Sequence, residues 1–159
     1  DKTANTADFL ATMAHEAAHL YYFRIANGAK APSWYAEGMA TQFEGFRWTG
    51  SKWAYDRLSR TRMPFVRQAA DQGRLLPLDQ LVAGDALALI NTDSEKALLF
   101  YAESWALVYF LTQTDRDDCR EAFRKYCDAV DSGKQAALSD FFPDLKALHA
   151  DFVKFVKRM

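Results

Sequence analysis

Helical periodicity constrains the fold of this chain more than any other feature of its sequence. Along most of the chain, apolar residues recur every three or four positions, the spacing that places them on one face of an α-helix. No stretch of useful length alternates apolar and polar residues as a half-buried strand does. We therefore predict an all-α fold, with an irregular stretch near residues 84–92.

Capping and breaking residues divide this pattern into separate helices. The first helix is predicted at residues 6–26, between an N-cap at Asn5 or Thr6 and a stop at residues 27–28. The second is predicted at residues 33–46. Because only a short connection separates them, the two helices should form a hairpin.

The same signals mark the remaining helices. A third helix is predicted over residues 52–72, with Ser51 as N-cap and a kink or break at Pro64, which lacks the N–H that a helix interior needs. The segment 95–112 is apolar on most faces and is therefore predicted to be a buried helix. The turn predicted at residues 75–79 leads into a short helix that ends near residues 83–84. The other predicted helices occupy residues 115–130, 135–141 and 143–158, with Pro143 in a first turn.

Length and charge exclude several classes of function. The chain has 159 residues, which fits one domain over residues 1–159. Its formal net charge is -1, with acidic and basic residues interspersed, so no basic surface favours nucleic acid as a partner.

No apolar run reaches the roughly 18 residues that a membrane span needs. The chain starts at Asp1 with a helix close behind, so we expect a piece of a longer protein and infer no compartment.

The two cysteines give no sign of a disulfide or of a metal site. Cys119 and Cys127 lie eight positions apart in one predicted helix. Eight helical residues rise about 12 Å, which is beyond the reach of a disulfide. No histidine lies near them to complete a metal site. We expect two free thiols.

Two of the three histidines form the motif His15-Glu16-Ala17-Ala18-His19. Residues four apart on a helix share a face, so both imidazoles can reach one zinc ion at about 2.0–2.1 Å. Glu16 projects roughly 100° away from His15, where it reaches a water molecule beside the ion rather than the ion itself. The motif therefore predicts a zinc site with His15 and His19 as ligands and Glu16 as the general base.

A catalytic zinc ion has three protein ligands and an open fourth position, so one ligand remains to be found. Glu37 follows His19 by 18 residues, a spacing that suits the second helix of the predicted hairpin. Gly38 and Ala40 are small and should let the two helices pack closely. We predict Glu37 as the third ligand.

Two further observations concern residues around the predicted ligands. A histidine that binds zinc usually donates its other N–H to a carboxylate or carbonyl group. Thr41 and Glu44 follow Glu37 at intervals that place them on the same helix face, and either could contact His15 or His19; Glu44 is the better acceptor. His149 is isolated near the end of the chain, and we expect it to have no catalytic role.

The HExxH motif followed by Glu37 and Gly38 resembles the gluzincin metallopeptidases, whose third zinc ligand is a glutamate. The segment Trp34-x-x-Glu37-Gly38-x-Ala40 is especially similar to the M1 aminopeptidase-like branch and its uncharacterised relatives. In that branch a Tyr-x-Lys-Gly segment leads into a later aliphatic helix, and Tyr101 occupies the matching place here. The resemblance implies that Tyr101 donates a hydrogen bond to the oxyanion of the tetrahedral intermediate.

The chain also departs from that family. Glu103 and Ser104 stand where Lys and Gly are usual, and Tyr101 could instead be a core aromatic residue of a very apolar helix. The resemblance implies a β-sheet ahead of the metal-binding helix. This chain does not contain that sheet, so we expect a helical catalytic domain without it. Exopeptidase and endopeptidase action both stay open.

These observations together predict a zinc-dependent enzyme that hydrolyses peptide bonds in a peptide or protein substrate. One alternative is a helical module that keeps a degenerate zinc site and binds peptide or protein without cutting it. A second alternative is hydrolysis of another amide bond, such as a peptidoglycan cross-link.

Overall fold

The computed structural model describes residues 2–25, 30–56 and 58–159. Within these ranges the chain is mostly helical, and the predicted all-α class is confirmed. The α-helices are α1 (Lys2–Ile25), α2 (Ser33–Thr41), α3 (Arg62–Asp71), α4 (Leu78–Ala83), α5 (Ala86–Thr92), α6 (Ser94–Gln113), α7 (Asp117–Asp131) and α8 (Leu145–Arg158). Two short 3₁₀ helices, η1 (Gln42–Gly45) and η2 (Leu138–Asp140), and a hairpin of β1 (Phe46–Trp48) and β2 (Trp53–Tyr55) complete the described structure.

The helix α6 forms the centre of the fold. It packs against α2, α3, α5, α7 and α8. Its residues Phe100, Trp105, Leu107 and Leu111 are completely buried, as expected for a helix that is apolar on most of its faces. The prediction of a buried helix over residues 95–112 is therefore confirmed.

The helix α1 lies on the outside and packs chiefly against α2, η1 and β1. It carries large apolar side chains that are each more than half exposed: Phe9, Met13, Leu20, Tyr21, Phe23 and Ile25. α1 begins at Lys2, so Asn5 and Thr6 lie inside the helix and the predicted N-cap was wrong. No helix breaker separates Lys2 from Thr6, which allows the earlier start. The predicted stop at residues 27–28 lies outside the described residues.

The hairpin corrects two sequence predictions. The second helix ends at Thr41 rather than near residue 46, and η1 leads into β1. Residues 53–55 form β2 rather than the start of a helix, so Ser51 caps no helix. The strands pair antiparallel, and they place Phe46 against Tyr55 and Trp48 against Trp53 at ring-centroid distances of 4.9 and 5.5 Å. These cross-strand aromatic pairs stabilise the short hairpin.

Four helix boundaries also differ from the predictions. The helix α3 starts only at Arg62, and Pro64 lies in its first turn, where a missing N–H breaks no helical hydrogen bond. The stretch predicted to be irregular contains α5, because the side chain of Asp85 caps its first turn. Residues 135–141 form only η2. Asp144 caps α8, so Pro143 precedes that helix instead of lying in its first turn.

The cysteine prediction is confirmed, since Cys119 and Cys127 are both free thiols. Among the described helices, none combines the length and the apolar character that a bilayer-spanning segment requires.

Candidate metal centre

Three side chains from two helices converge on one point. The helix α1 places His15 and His19 one turn apart on the face that meets α2, and α2 contributes Glu37. The two Nε2 atoms lie 3.0 Å apart. Glu37 Oε2 lies 3.2 Å from the Nε2 atom of His15 and 3.4 Å from that of His19. The structure therefore brings the three residues predicted as metal ligands into one cluster.

The geometry of the cluster fits a zinc ion. Ligands bound at 2.0–2.1 Å in a tetrahedral arrangement lie about 3.3 Å from one another, close to the three distances observed here. Glu37 Oε2 is buried and has no hydrogen-bond partner within the described part of the chain. Its nearest polar atoms are the two imidazole nitrogens, and a cation among the three atoms would give the carboxylate oxygen a direct partner. Two imidazole nitrogens and one carboxylate oxygen are also a common donor set for zinc.

The electrostatics of the cluster favour positive charge. Burial alone would lower the pKa of His15, but Glu37 and Glu44 outweigh burial and raise that pKa to about 9. Burial would likewise raise the pKa of Glu37, but His15 and His19 lower it to about 2. The carboxylate is therefore ionised near neutral pH and is available to a cation.

Glu44 contacts the far side of the His15 ring. Its Oε1 atom lies 2.9 Å from His15 Nδ1, and since a carboxylate can only accept, Nδ1 carries the hydrogen. In the neutral imidazole this contact leaves the lone pair on Nε2, which faces Glu37, so a bound metal ion would have to displace the second proton that the acidic neighbours favour. Thr41, the other residue considered for this position, donates its hydroxyl to the carbonyl oxygen of Gly38 instead.

Sequence reasoning missed Arg62, which binds Glu44. Its guanidinium donates to both oxygens of the Glu44 carboxylate, over 2.8–3.1 Å. Glu44 and Arg62 are 18 residues apart and are separated by the hairpin, so no local sequence pattern pairs them. The sequence contains only a weak signal for this contact. Phe46-x-Trp48 and Trp53-x-Tyr55 flank a turn containing Gly50, a pattern typical of a β-hairpin that reverses the direction of the chain.

Tyr101 lies within electrostatic range of the cluster. Burial raises the pKa of Tyr101, the charges of Glu37 and Glu16 raise it further, and the charge of Arg62 opposes them. Tyr101 is partly buried, whereas Glu16 is exposed on α1 next to His15. The phenol thus stays protonated near neutral pH and can act as a hydrogen-bond donor.

The two residues that depart from the family pattern, Glu103 and Ser104, are both buried in α6. Glu103 is completely buried and accepts a hydrogen bond of 2.9 Å from the N–H of Leu76. Ser104 is also completely buried, and its carbonyl oxygen lies against Gly38. Gly38 therefore allows the close approach of α6 to α2, rather than of α1 to α2 as the sequence suggested.

Other polar residues lie apart from the three ligands. Burial lowers the pKa of His149 on α8, and the charge of Asp79 on α4 partly opposes this shift. A cleft of about 180 Å³ lies on the Glu44 side of the cluster, between Asp8 and Ala11 of α1, Phe46 of β1 and Trp105 of α6. Glu44 lines this cleft, whereas the three candidate ligands do not.

Comparison with known proteins identifies a family but no activity. Searches of curated proteins and of solved structures gave no match. The model of a family described as "Protein of unknown function (DUF1570)" matches residues 9–130, about three quarters of the chain. The matched range includes the three candidate ligands, Glu44 and Tyr101. The chain therefore belongs to the DUF1570 family.

Proposed function

We propose that this protein is a zinc-dependent hydrolase of peptide bonds, of the gluzincin type, with His15, His19 and Glu37 as the metal ligands. One observation carries the proposal: three candidate ligand atoms from two helices lie within 3.4 Å of one another, and the carboxylate oxygen among them is buried and makes no hydrogen bond to the described residues. In a catalytic zinc site, three such ligands leave a fourth position for water or substrate.

Zinc would supply Lewis acidity, which polarises the scissile carbonyl and makes water easier to deprotonate. Glu16 adjoins the ligand His15 in sequence and is exposed, so its carboxylate can accept a proton from the attacking water. The same carboxyl group then passes the proton to the leaving amine.

Tyr101 is proposed to stabilise the tetrahedral intermediate. Its hydroxyl lies within electrostatic range of Glu37 and Glu16, which supports a position near the proposed base. A phenol that stays protonated can donate a hydrogen bond to the oxygen on which negative charge develops.

The variant Glu16→Gln tests the proposal. It should keep zinc at wild-type stoichiometry, measured by elemental analysis, and lose cleavage of a mixed peptide library followed by mass spectrometry. Gln has the size of Glu but cannot accept the proton. Glu95→Gln, at an exposed position on α6, is the matched control and should cleave as the wild type does.

Two results would contradict the proposal in different ways. The proposed mechanism would be excluded if the wild-type protein bound no zinc, or if the Glu16→Gln variant were as active as the wild type. Zinc binding without cleavage of any library peptide would support the alternative of a zinc-containing module that binds peptide or protein without cutting it.

A further inference from the structure

Arg62 holds the carboxylate of Glu44 by three hydrogen bonds. Its Nε atom donates to Oε2 over 3.1 Å, and its Nη2 atom donates to Oε1 over 2.8 Å and to Oε2 over 3.0 Å. Such a forked contact fixes the plane of the carboxylate, which a single hydrogen bond does not do. Arg62 is the first residue of α3, so the contact anchors η1 to a third helix.

The same carboxylate contacts His15. Glu44 Oε1 lies 2.9 Å from His15 Nδ1, which makes a continuous chain of contacts from Arg62 through Glu44 to a proposed metal ligand. The side chains of His15, Glu44 and Arg62 are 13%, 19% and 22% exposed. Because all three are largely shielded from water, their interactions are stronger than those of a surface ion pair.

We propose that Arg62 is a positioning residue for the metal site and acts through Glu44. With both carboxylate oxygens held by the guanidinium, Glu44 has one orientation in which to accept the Nδ1 hydrogen of His15. That orientation fixes the ring of His15 so that Nε2 faces Glu37 and His19. Lysine cannot replace this arrangement, since an ammonium group lacks the planar fork.

This inference rests on the proposed zinc site, and zinc affinity tests it without reference to activity. The dissociation constant for zinc is measured by competition with a chromophoric chelator. Partners that orient a ligand typically contribute 10–100-fold to metal affinity, so Arg62→Gln should weaken zinc binding by roughly that factor. Arg62→Lys should also bind zinc more weakly than the wild type.

Arg60 provides a matched control. It lies two residues before Arg62 and pairs with the carboxylate of Asp56 at 3.3 Å, and in the described part of the chain neither side chain forms a hydrogen bond or ion pair with a proposed ligand. Arg60→Gln should therefore bind zinc as the wild type does. Circular dichroism and thermal unfolding of each variant establish that the compared proteins are folded.

A double variant tests whether Arg62 acts through Glu44. If it does, Glu44→Ala combined with Arg62→Gln should bind zinc no more weakly than Glu44→Ala alone. The inference would be overturned if the zinc dissociation constant of the double variant rose by the product of the two single fold-changes, because Arg62 would then act independently of Glu44. Wild-type affinity in Arg62→Gln would overturn it as well and would leave the proposed function intact. A wild-type protein that binds no zinc would refute both.

Discussion

The main chain of Gly38 in α2 lies directly against the carbonyl group of Ser104 in α6. A Cβ atom added to Gly38 would lie 2.6 Å from that oxygen and 2.7 Å from a methyl carbon of Val108. These distances are shorter than van der Waals contact, so the close packing of the two helices requires glycine at this position. Glu37 precedes Gly38, and the packing therefore also determines where the proposed third ligand lies.

Gly38→Ala should lower the free energy of unfolding by about 1–3 kcal/mol, the usual cost of overpacking a core. In a helix without this contact the same change would stabilise the protein by up to about 1 kcal/mol, because alanine has the higher helix propensity. Urea unfolding of the two proteins measures the difference. An increase in stability would show that α2 and α6 do not pack as described.

His19→Ala should abolish tight zinc binding, because only two of the three ligands would remain. At a free zinc concentration 100 times the dissociation constant, binding adds about 2.7 kcal/mol of stability, which for a chain of this size raises the melting temperature by roughly 5–10 °C. A chelator should therefore lower the melting temperature of the wild type and leave that of His19→Ala unchanged. His149→Ala is the matched control, and it should respond to the chelator as the wild type does.

Tyr101→Phe should keep zinc and lower kcat by about 10²–10³, the usual cost of removing one donor to an oxyanion. The phenyl ring preserves packing, so the melting temperature should change little. Tyr109→Phe is the matched control on α6, where the ring of Tyr109 stacks on Trp105 at 5.7 Å. Equal kcat values for wild type and Tyr101→Phe on peptides that the wild type cleaves would exclude this role for the hydroxyl.

Glu103 should make stability depend on pH. Burial raises the pKa of its carboxyl group from 4.5 to about 8, and the hydrogen bond from Leu76 only partly opposes this shift. Below pH 4.5 the group is protonated in both the folded and the unfolded chain. Between pH 4.5 and 8 only the folded chain keeps the proton, so stability is lost as the pH rises through this window.

Glu103→Gln removes this titration while keeping an acceptor for Leu76. The variant should gain stability relative to the wild type as the pH rises from 5 to 8, by up to a few kcal/mol, since one pKa unit corresponds to about 1.4 kcal/mol. Thermal unfolding at several pH values measures the gain. Glu95→Gln, whose side chain is 78% exposed on the same helix, should show no such trend. A constant difference between Glu103→Gln and the wild type at every pH would contradict the assignment.

Features that are determined within a single helix could be predicted from the sequence. The motif containing His15 and His19 has a fixed geometry once it is helical, and the apolar residues of α6 require burial wherever that helix lies. The prediction of Glu37 as a ligand needed a further assumption, namely that a short connection brings the first two helices side by side. The zinc ion itself stays a prediction.

The parts that could not be predicted depend on contacts between distant segments. Each strand of the hairpin has three residues, too few for an alternating pattern to stand out among helices. Arg62 contacts Glu44 only because the hairpin reverses the direction of the chain. The sequence pattern predicted a helix where that hairpin lies, so the contact could not be predicted. Asp85 was a recognisable capping residue, but the short helix after it has no strong apolar periodicity.

The position of α1 has a mechanical consequence for the proposed metal site. Two of the proposed ligands belong to this outer helix, whereas the third belongs to α2, which is attached to the central helix of the fold. An ion held by all three would act as a cross-link between the periphery of the protein and its interior. Removal of the ion should then first increase the rate of amide hydrogen exchange along α1, before the remaining helices separate.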